Sequence, residues 1–434
     1  MQRRTFLQLL TVPAVAQVLA ACGDDSTKSS SNGGNASSLR GDAPRITDGT
    51  DPAAAAIAVN AFADDLFLHL TTIDPVANLV FSPASIALAL AMTSAGAKGM
   101  TLDEMNQVLH IADPAAIHRS MNGLSSALEA TNQSQDNTGD GGEGVSEVQL
   151  SIANSLWGQS GFSFEQAFLD LLSSEYGAGM ELVDYMDDPE AARVAINEWV
   201  ATETRERIPE LLAEGVITAD SRLTLVNAIY LKANWFDTFD KELTVKSAFT
   251  TPAGDVEVDM MHVDRRITHG AGEGWQAIEL PYVFGELAMV VAVGDDADTL
   301  MPTVTDAIAS LRDRPVQLGF PKFDIETSIS LADVLKEMGM PTAFEAGNAD
   351  FSGMTTQDQL VIGDVIHQAN ITVDEEGTEA AAATAVVMVA TSAPVEEDPI
   401  TLVIDRPFTF WLRARTTGAV IFMGRVNDPS ATRG

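Results

Sequence analysis

One mixed α/β body with a single exposed loop is the fold class this sequence predicts, and three observations lead there. A leader and a polar tether leave about 375 of the 434 residues for folded structure, more than a typical domain holds. Residues 374–391, DEEGTEAAAATAVVMVAT, are patterned so that they could form a strand with one small-to-apolar face. Seven stretches between residues 78 and 429, taken up below, carry the expectation of one continuous body.

The chain opens with MQRRTFLQLL, in which Arg3-Arg4 followed by Phe6-Leu7 is similar to a twin-arginine export signal. Its apolar run to Ala21 is short and interrupted by Pro13 and Gln17, too weak for a stable membrane span. It ends in Leu19-Ala20-Ala21-Cys22, which resembles a bacterial lipobox, and Cys22 is the sole cysteine of the 434 residues. The expectation is a signal peptide over 1–21, a lipidated Cys22, and no internal disulfide. Gly23, where aspartate could stand, points to sorting to the outer membrane of a bacterial envelope. Residues 22–52 are rich in Ser, Gly, Asn and Asp and read as a flexible tether ahead of a body at 53–434.

A formal net charge of −37 argues against nucleic acid and against heparin-like polyanions as partners, and an acidic surface for solubility accounts for it. Residues 130–147, TNQSQDNTGDGGEGVSEV, read as an exposed loop in which Asp136, Thr138, Asp140, Gly141 and Glu147 fall on calcium-loop spacing. Glu143 stands where an apolar residue is usual and the flanking helices are missing, so no metal is expected. An enzyme is not expected either. There is no G-x-S-x-G elbow and no H-E-x-x-H pair, and the six histidines are scattered. The GAGEGW run at 270–275 lacks the strand and helix of a dinucleotide site, so no cofactor is expected.

With Thr378 as the first residue of a strand, period two puts Thr378, Ala380, Ala382, Thr384, Val386, Met388 and Ala390 on one face. That face is small near its start and apolar further on, and it could be buried. Glu379, Ala381 and Ala383 fall on the other face, where Glu379 is expected to meet solvent. Gly377 permits backbone angles closed to other residues, and the absence of proline leaves every N–H free for a ladder. Alanine is a poor strand former, so the run should neither pair strongly outside a sheet nor obstruct insertion into one. On composition alone an alanine-rich helix is the alternative.

The stretch resembles the hinge and reactive-centre loop of the serpins, and the rest of the chain supports the resemblance from about residue 53 to about residue 428. NLVFSPASIALALAMTSAGAKGMT at 78–101 looks like the family's second helix; LSIANSLW at 150–157 and LTLVNAIYLKANW at 223–235 look like two strands of its large sheet. FPKFDIETSISLADVLKEMGMPTAF at 320–344, ADFSGMT at 349–355, IHQANITVDEEGTEAAAA at 366–383 and RPFTFWLRARTTGAVIFMGRVNDP at 406–429 follow in order. The resemblance implies a mixed α/β (α+β) serpin fold, with a large central sheet, two smaller sheets, about eight or nine helices, and an exposed loop. It also assigns roles. Ser82, Ser85, Asn227 and His367 match a polar cluster under the centre of the large sheet (the shutter). Trp235, Lys322 and Glu375 match the aromatic and the ion pair at its top (the breach). Glu375, Gly377, Thr378, Glu379, Ala380, Ala381, Ala382 and Ala383 match the hinge.

The function implied is that of a monomeric suicide inhibitor. A serine protease, or a cysteine protease, cuts the loop and forms a covalent acyl complex; the freed loop inserts as a central strand and drags the enzyme with it. The fourteen residues Thr378 to Thr391 would extend ~45 Å. The family's hinge-to-scissile spacing of seventeen, counted from Glu375, reaches the Thr391–Ser392 bond. A count back from Arg406-Pro407 falls nearer Glu396, which leaves Ala390 to Glu397 as the window. Between Glu375 and Arg406 there is no Lys, Arg or aromatic residue, so Val389-Ala390-Thr391 suits the small apolar pocket of an elastase-like or subtilisin-like enzyme. A protease specific for acidic residues acting at Glu396–Asp398 is the minor alternative, and a non-inhibitory carrier, storage or chaperone role on the same fold is the other.

Overall fold

A computed structural model describes residues 37–48, 50–136, 145–296, 301–379 and 397–431. The signal, Cys22, Ala380 to Ala383, Thr391 and Ser392 lie outside the described residues.

Long apolar runs dictate the centre of the molecule. The LTLVNAIYLKAN run is buried at every position but Lys232, which demands cover on both faces of a strand. The large sheet uses, in chain order, β1 (Ser37–Leu39), β2 (Gln133–Asp136), β3 (Val145–Gln159), β4 (Met180–Val183), β5 (Leu223–Asn234), β6 (Phe323–Ser330), β7 (Asp364–Val373) and β8 (Gly377–Thr378). Their order across the sheet is β1-β4-β3-β5-β8-β7-β6, with β2 on β3 and a second, direct pairing of β5 with β7. Eight α-helices occur among the described residues: α1 (Ala53–Ile73), α2 (Pro83–Ser94), α3 (Gly99–Val108), α4 (Ile117–Glu129), α5 (Gln166–Leu171), α6 (Pro189–Glu203), α7 (Val304–Ser310) and α8 (Ala332–Met338).

The helix α2 is started by Ser82, whose hydroxyl accepts from Ser85 N at 3.2 Å, with Pro83 at the first helical position. Every residue of α2 is buried, since it runs between the two sheets. On the opposite face of the large sheet α6 lays Ile196 and Val200 against Trp157, Val226 and Ile366.

Three expectations of the fold differ from the structure. The two smaller sheets are joined into one of nine strands, because the 19-residue strand Gly254–Gly272 is long enough to pair with Val245–Thr251 at one end and with Trp275–Pro281 at the other. The folded body also begins before residue 53, where it was expected to start. Ser37–Leu39 pairs with Met180–Val183, Gly41 N donates to Ser173 Oγ at 2.8 Å, and Arg45 pairs with Glu129 at 2.8 Å. The edge of β4 offers unpaired backbone groups that a polar segment can satisfy without any apolar pattern. The GAGEGW run, expected to lack a preceding strand, is the hairpin at which the strand Gly254–Gly272 turns into Trp275–Pro281, so a strand precedes it and a strand, not a helix, follows. Within the rejected calcium pattern, Glu147 is committed to an ion pair with Lys232.

Candidate functional site

The site is a seam between β5 and β7 with a wedge at its top. The two strands are parallel and pair directly only over Asp364 to Gln368 against Thr224 to Ala228. Above that, β8 lies between them and is antiparallel to both, with Thr378 opposite Val373 on one side and Ala233 on the other.

The seam is held by the polar cluster. His367 and Asn227 are directly opposite in register, and Asn154 of β3 is opposite Asn227 on its other side. The Ser82 amide donates to His367 Nε2 at 3.0 Å, so that nitrogen carries no proton and Nδ1 must be the one donating to Asn227 Oδ1. Asn227 Nδ2 donates to Ser85 Oγ at 2.6 Å and to Asn154 Oδ1, Ser85 Oγ donates to Asn154 Oδ1 at 3.0 Å, and Ser82 Oγ donates to the Ile421 carbonyl at 2.6 Å. The four expected residues therefore meet. Sequence reading missed Asn154, although it sits in the quoted LSIANSLW, because an asparagine amid an apolar strand has no periodic signature.

Burial pushes the His367 imidazole down to about 3. A protonated His367 would lose its acceptor for the Ser82 amide and would be a charge in the core. Its folded value lies below its unfolded value, so the unfolded chain binds the extra proton. The stability contributed by neutral His367 is complete above about pH 6.5 and is lost as pH falls toward about 3, by up to about 1.4 kcal/mol per pH unit. We expect the thermal transition at fixed scan rate to drop steeply between pH 7 and pH 5, and His367→Asn to flatten that dependence. An equally steep drop in that variant would count against the assignment.

At the top of the seam the chain turns back at Asp374, whose carboxylate accepts from Glu376 N at 2.8 Å and Gly377 N at 3.2 Å. Gly377 has φ 151°, and a Cβ there would lie 2.1 Å from the Ala233 carbonyl oxygen, so only glycine fits. The Lys322 ammonium donates to Glu375 Oε2 at 2.8 Å, and Thr244 Oγ1 to Oε1 at 2.8 Å. Burial works to raise the Glu375 carboxyl, and those two donors outweigh it and hold it below the usual range. The indole of Trp235 donates to the Asp374 carbonyl at 3.0 Å and stacks on Tyr282, centroids 4.5 Å apart. The phenol of Tyr282 shares a 2.6 Å hydrogen bond with Thr378 Oγ1. The three expected breach residues thus surround the hinge. Tyr282, Thr244 and Lys241, the last paired with Glu376, complete the ring and were not legible in the sequence.

The expectation that Glu379 meets solvent does not hold. Its side chain is 2% exposed and lies 3.3 Å from the Arg207 guanidinium, because the outer face of the sheet is covered here by the segment after α6.

A large sheet whose central strands β5 and β7 are parted at one end by a short third strand, with a buried polar cluster where they meet, places the chain in a known class of fold. The chain belongs to the serpin family: the model for serpins (serine protease inhibitors) matches residues 57–429. A serpin-like protein of Thermococcus kodakarensis is 34% identical over 380 residues, spanning 86% of this chain and 85% of its own. The human leukocyte elastase inhibitor is 33% identical, spanning 85% of this chain and 97% of its own. Among solved structures, the thermophilic serpin tengpin in its native state superposes with a TM-score of 0.76 at 25% identity, covering 91% of this chain and all (100%) of tengpin. Maspin, at 23% identity and a TM-score of 0.77, supports the fold alone.

Proposed function

We propose that this chain is a suicide inhibitor of serine proteases, and of cysteine proteases by the same acyl chemistry, carried as a monomer on a bacterial envelope by a lipidated Cys22. One observation carries the reading: Gly377 and Thr378 already occupy the top of the seam in the antiparallel sense that a fully inserted loop would take. Cleavage at Thr391–Ser392 frees the loop, and the residues behind Thr378 follow it down between β5 and β7. The acyl-enzyme is carried along and its oxyanion hole distorted before water can release it. Lys322, Glu375 and Trp235 serve as the breach, and Ser82, Ser85, Asn154, Asn227 and His367 as the shutter that must part. The absence of Lys, Arg and aromatic residues from 376–405 favours an elastase-like or subtilisin-like target.

Incubating the full chain with elastase or subtilisin is expected to give a detergent-resistant adduct and a small C-terminal fragment beginning at Ser392. A chain that is nicked in the loop by both and forms an adduct with neither would instead be a non-inhibitory member of the fold.

A further inference from the structure

We infer that Arg207 is a positioning residue, which latches the hinge through Glu379 and sets how far the loop sits in the sheet before any protease arrives. This rests on the inhibitory reading above and names a residue outside the breach and shutter that controls it.

The helix α6 ends at Glu203, and the chain then reverses through two adjacent non-glycine residues in left-handed conformation, Arg205 at φ 54° and Glu206 at φ 62°. Such a pair is unfavourable for residues with a Cβ and persists only where the surroundings impose it. Here Glu206 N donates to the Ala201 carbonyl at 2.7 Å, Arg207 N to the Thr204 carbonyl at 3.1 Å, and Ile208 is anchored in the apolar cluster beneath α6. The outcome is that Arg207 is carried over the outer face of the sheet to Glu379.

The two partners are unequal. The Arg207 side chain is 45% exposed and that of Glu379 2%, so the guanidinium reaches water while the carboxylate does not. Burying a carboxylate is costly without a counter-charge, so the Arg207 guanidinium contributes directly to holding Glu379 in its present position. Around them lie Tyr230, Arg205 and Glu147, the last held by Lys232.

The short strand β8 is Gly377–Thr378, and Glu379 follows it directly. Its N–H still donates to the Thr372 carbonyl at 3.1 Å, but its φ is 50°, left-handed and not that of a strand. Insertion beyond Thr378 requires Glu379 to become extended, which takes its carboxylate from its present place beside Arg207. Withdrawal of the hinge breaks the same pair. The latch therefore resists motion in both directions and holds Gly377 and Thr378 in place between β5 and β7.

Hydrogen exchange of the full chain, read at the amides of Gly377, Thr378 and Glu379, tests this without a protease. Arg207→Ala removes the guanidinium beside the buried carboxylate and is expected to lower protection about tenfold or more, while Arg207→Lys retains most of it. Adding Glu379→Gln to Arg207→Ala removes the carboxylate charge and is expected to restore protection to within about threefold of the parent. Unchanged protection in Arg207→Ala overturns the latch, as does failure of Glu379→Gln to restore it. If Arg207→Ala does not fold, Glu379→Lys carries the test: it loses protection, and Arg207→Glu added to it regains it, whereas equal protection in the two refutes the pairing. A chain that loses protection in Arg207→Ala yet forms no adduct with any protease keeps the latch and sinks the inhibitory reading. One that forms adducts with protection unmoved does the reverse.

Discussion

On the inhibitory reading proposed above, replacing Thr378 by arginine is expected to convert the chain from an inhibitor into a substrate. Thr378 is 1% exposed, packed between β5 and β7 with its hydroxyl on Tyr282. The neighbouring carboxylates are already engaged, Glu375 by Lys322 and Glu376 by Lys241. An arginine would have to bring a guanidinium into this apolar seam, at an effective cost of several kcal/mol. Each ~1.4 kcal/mol added to the insertion barrier slows it about tenfold, so insertion falls behind hydrolysis of the acyl-enzyme by about a hundredfold or more. The variant should be cut at the same bond, faster where the hinge has been expelled, and should leave active protease behind. The measurement is the adduct yield on a denaturing gel at equal enzyme and inhibitor. A yield equal to the parent's would defeat the view that Thr378 leads the inserting strand.

Much of this site could be read from the sequence because its residues are constrained by backbone. Gly377 is legible because no other residue can pass the Ala233 carbonyl. Ser82 announces itself by capping α2 with Pro83 behind it. His367, Asn227, Trp235 and Lys322 were placed only by register against a known family, since a buried histidine or a lone tryptophan carries no local pattern. What stayed hidden are groups that contribute through a long-range meeting. Asn154 is one such group, and Arg207 is another: nothing in ATETRERIPELL distinguishes it from a solvated arginine until the turn at Arg205 and Glu206 aims it at a residue far along the chain. Glu379 was misjudged for the same reason. Period two correctly put it on the outer face, but the pattern is silent about what covers that face. The docking of Ser37–Leu39 was likewise invisible, because an edge strand bonded through its backbone needs no apolar alternation.

Clipping the loop without trapping a protease should raise the melting temperature by about 15 °C or more, since unfolding of a body this size responds by a degree or two per kcal/mol. The native sheet is incomplete in a particular way. Its two central strands share a short parallel ladder, Asp364–Gln368 against Thr224–Ala228, and that ladder includes the His367–Asn227 pair. An inserting strand antiparallel to both must first separate them, which breaks the Nδ1 contact of His367 and the parallel bonds together. It then replaces one short ladder with two longer ones. A dozen new backbone hydrogen bonds at roughly 1 kcal/mol net each, with inward burial of small and apolar side chains, exceed the loss by on the order of 10 kcal/mol. The intact chain would then be held by the seam as a kinetic barrier and not by being the most stable arrangement of its residues. Calorimetry of the intact and clipped chains at one scan rate measures the difference directly. If both melted together, the wedge formed by Gly377 and Thr378 would be the full extent of insertion, and the seam below it an ordinary piece of sheet.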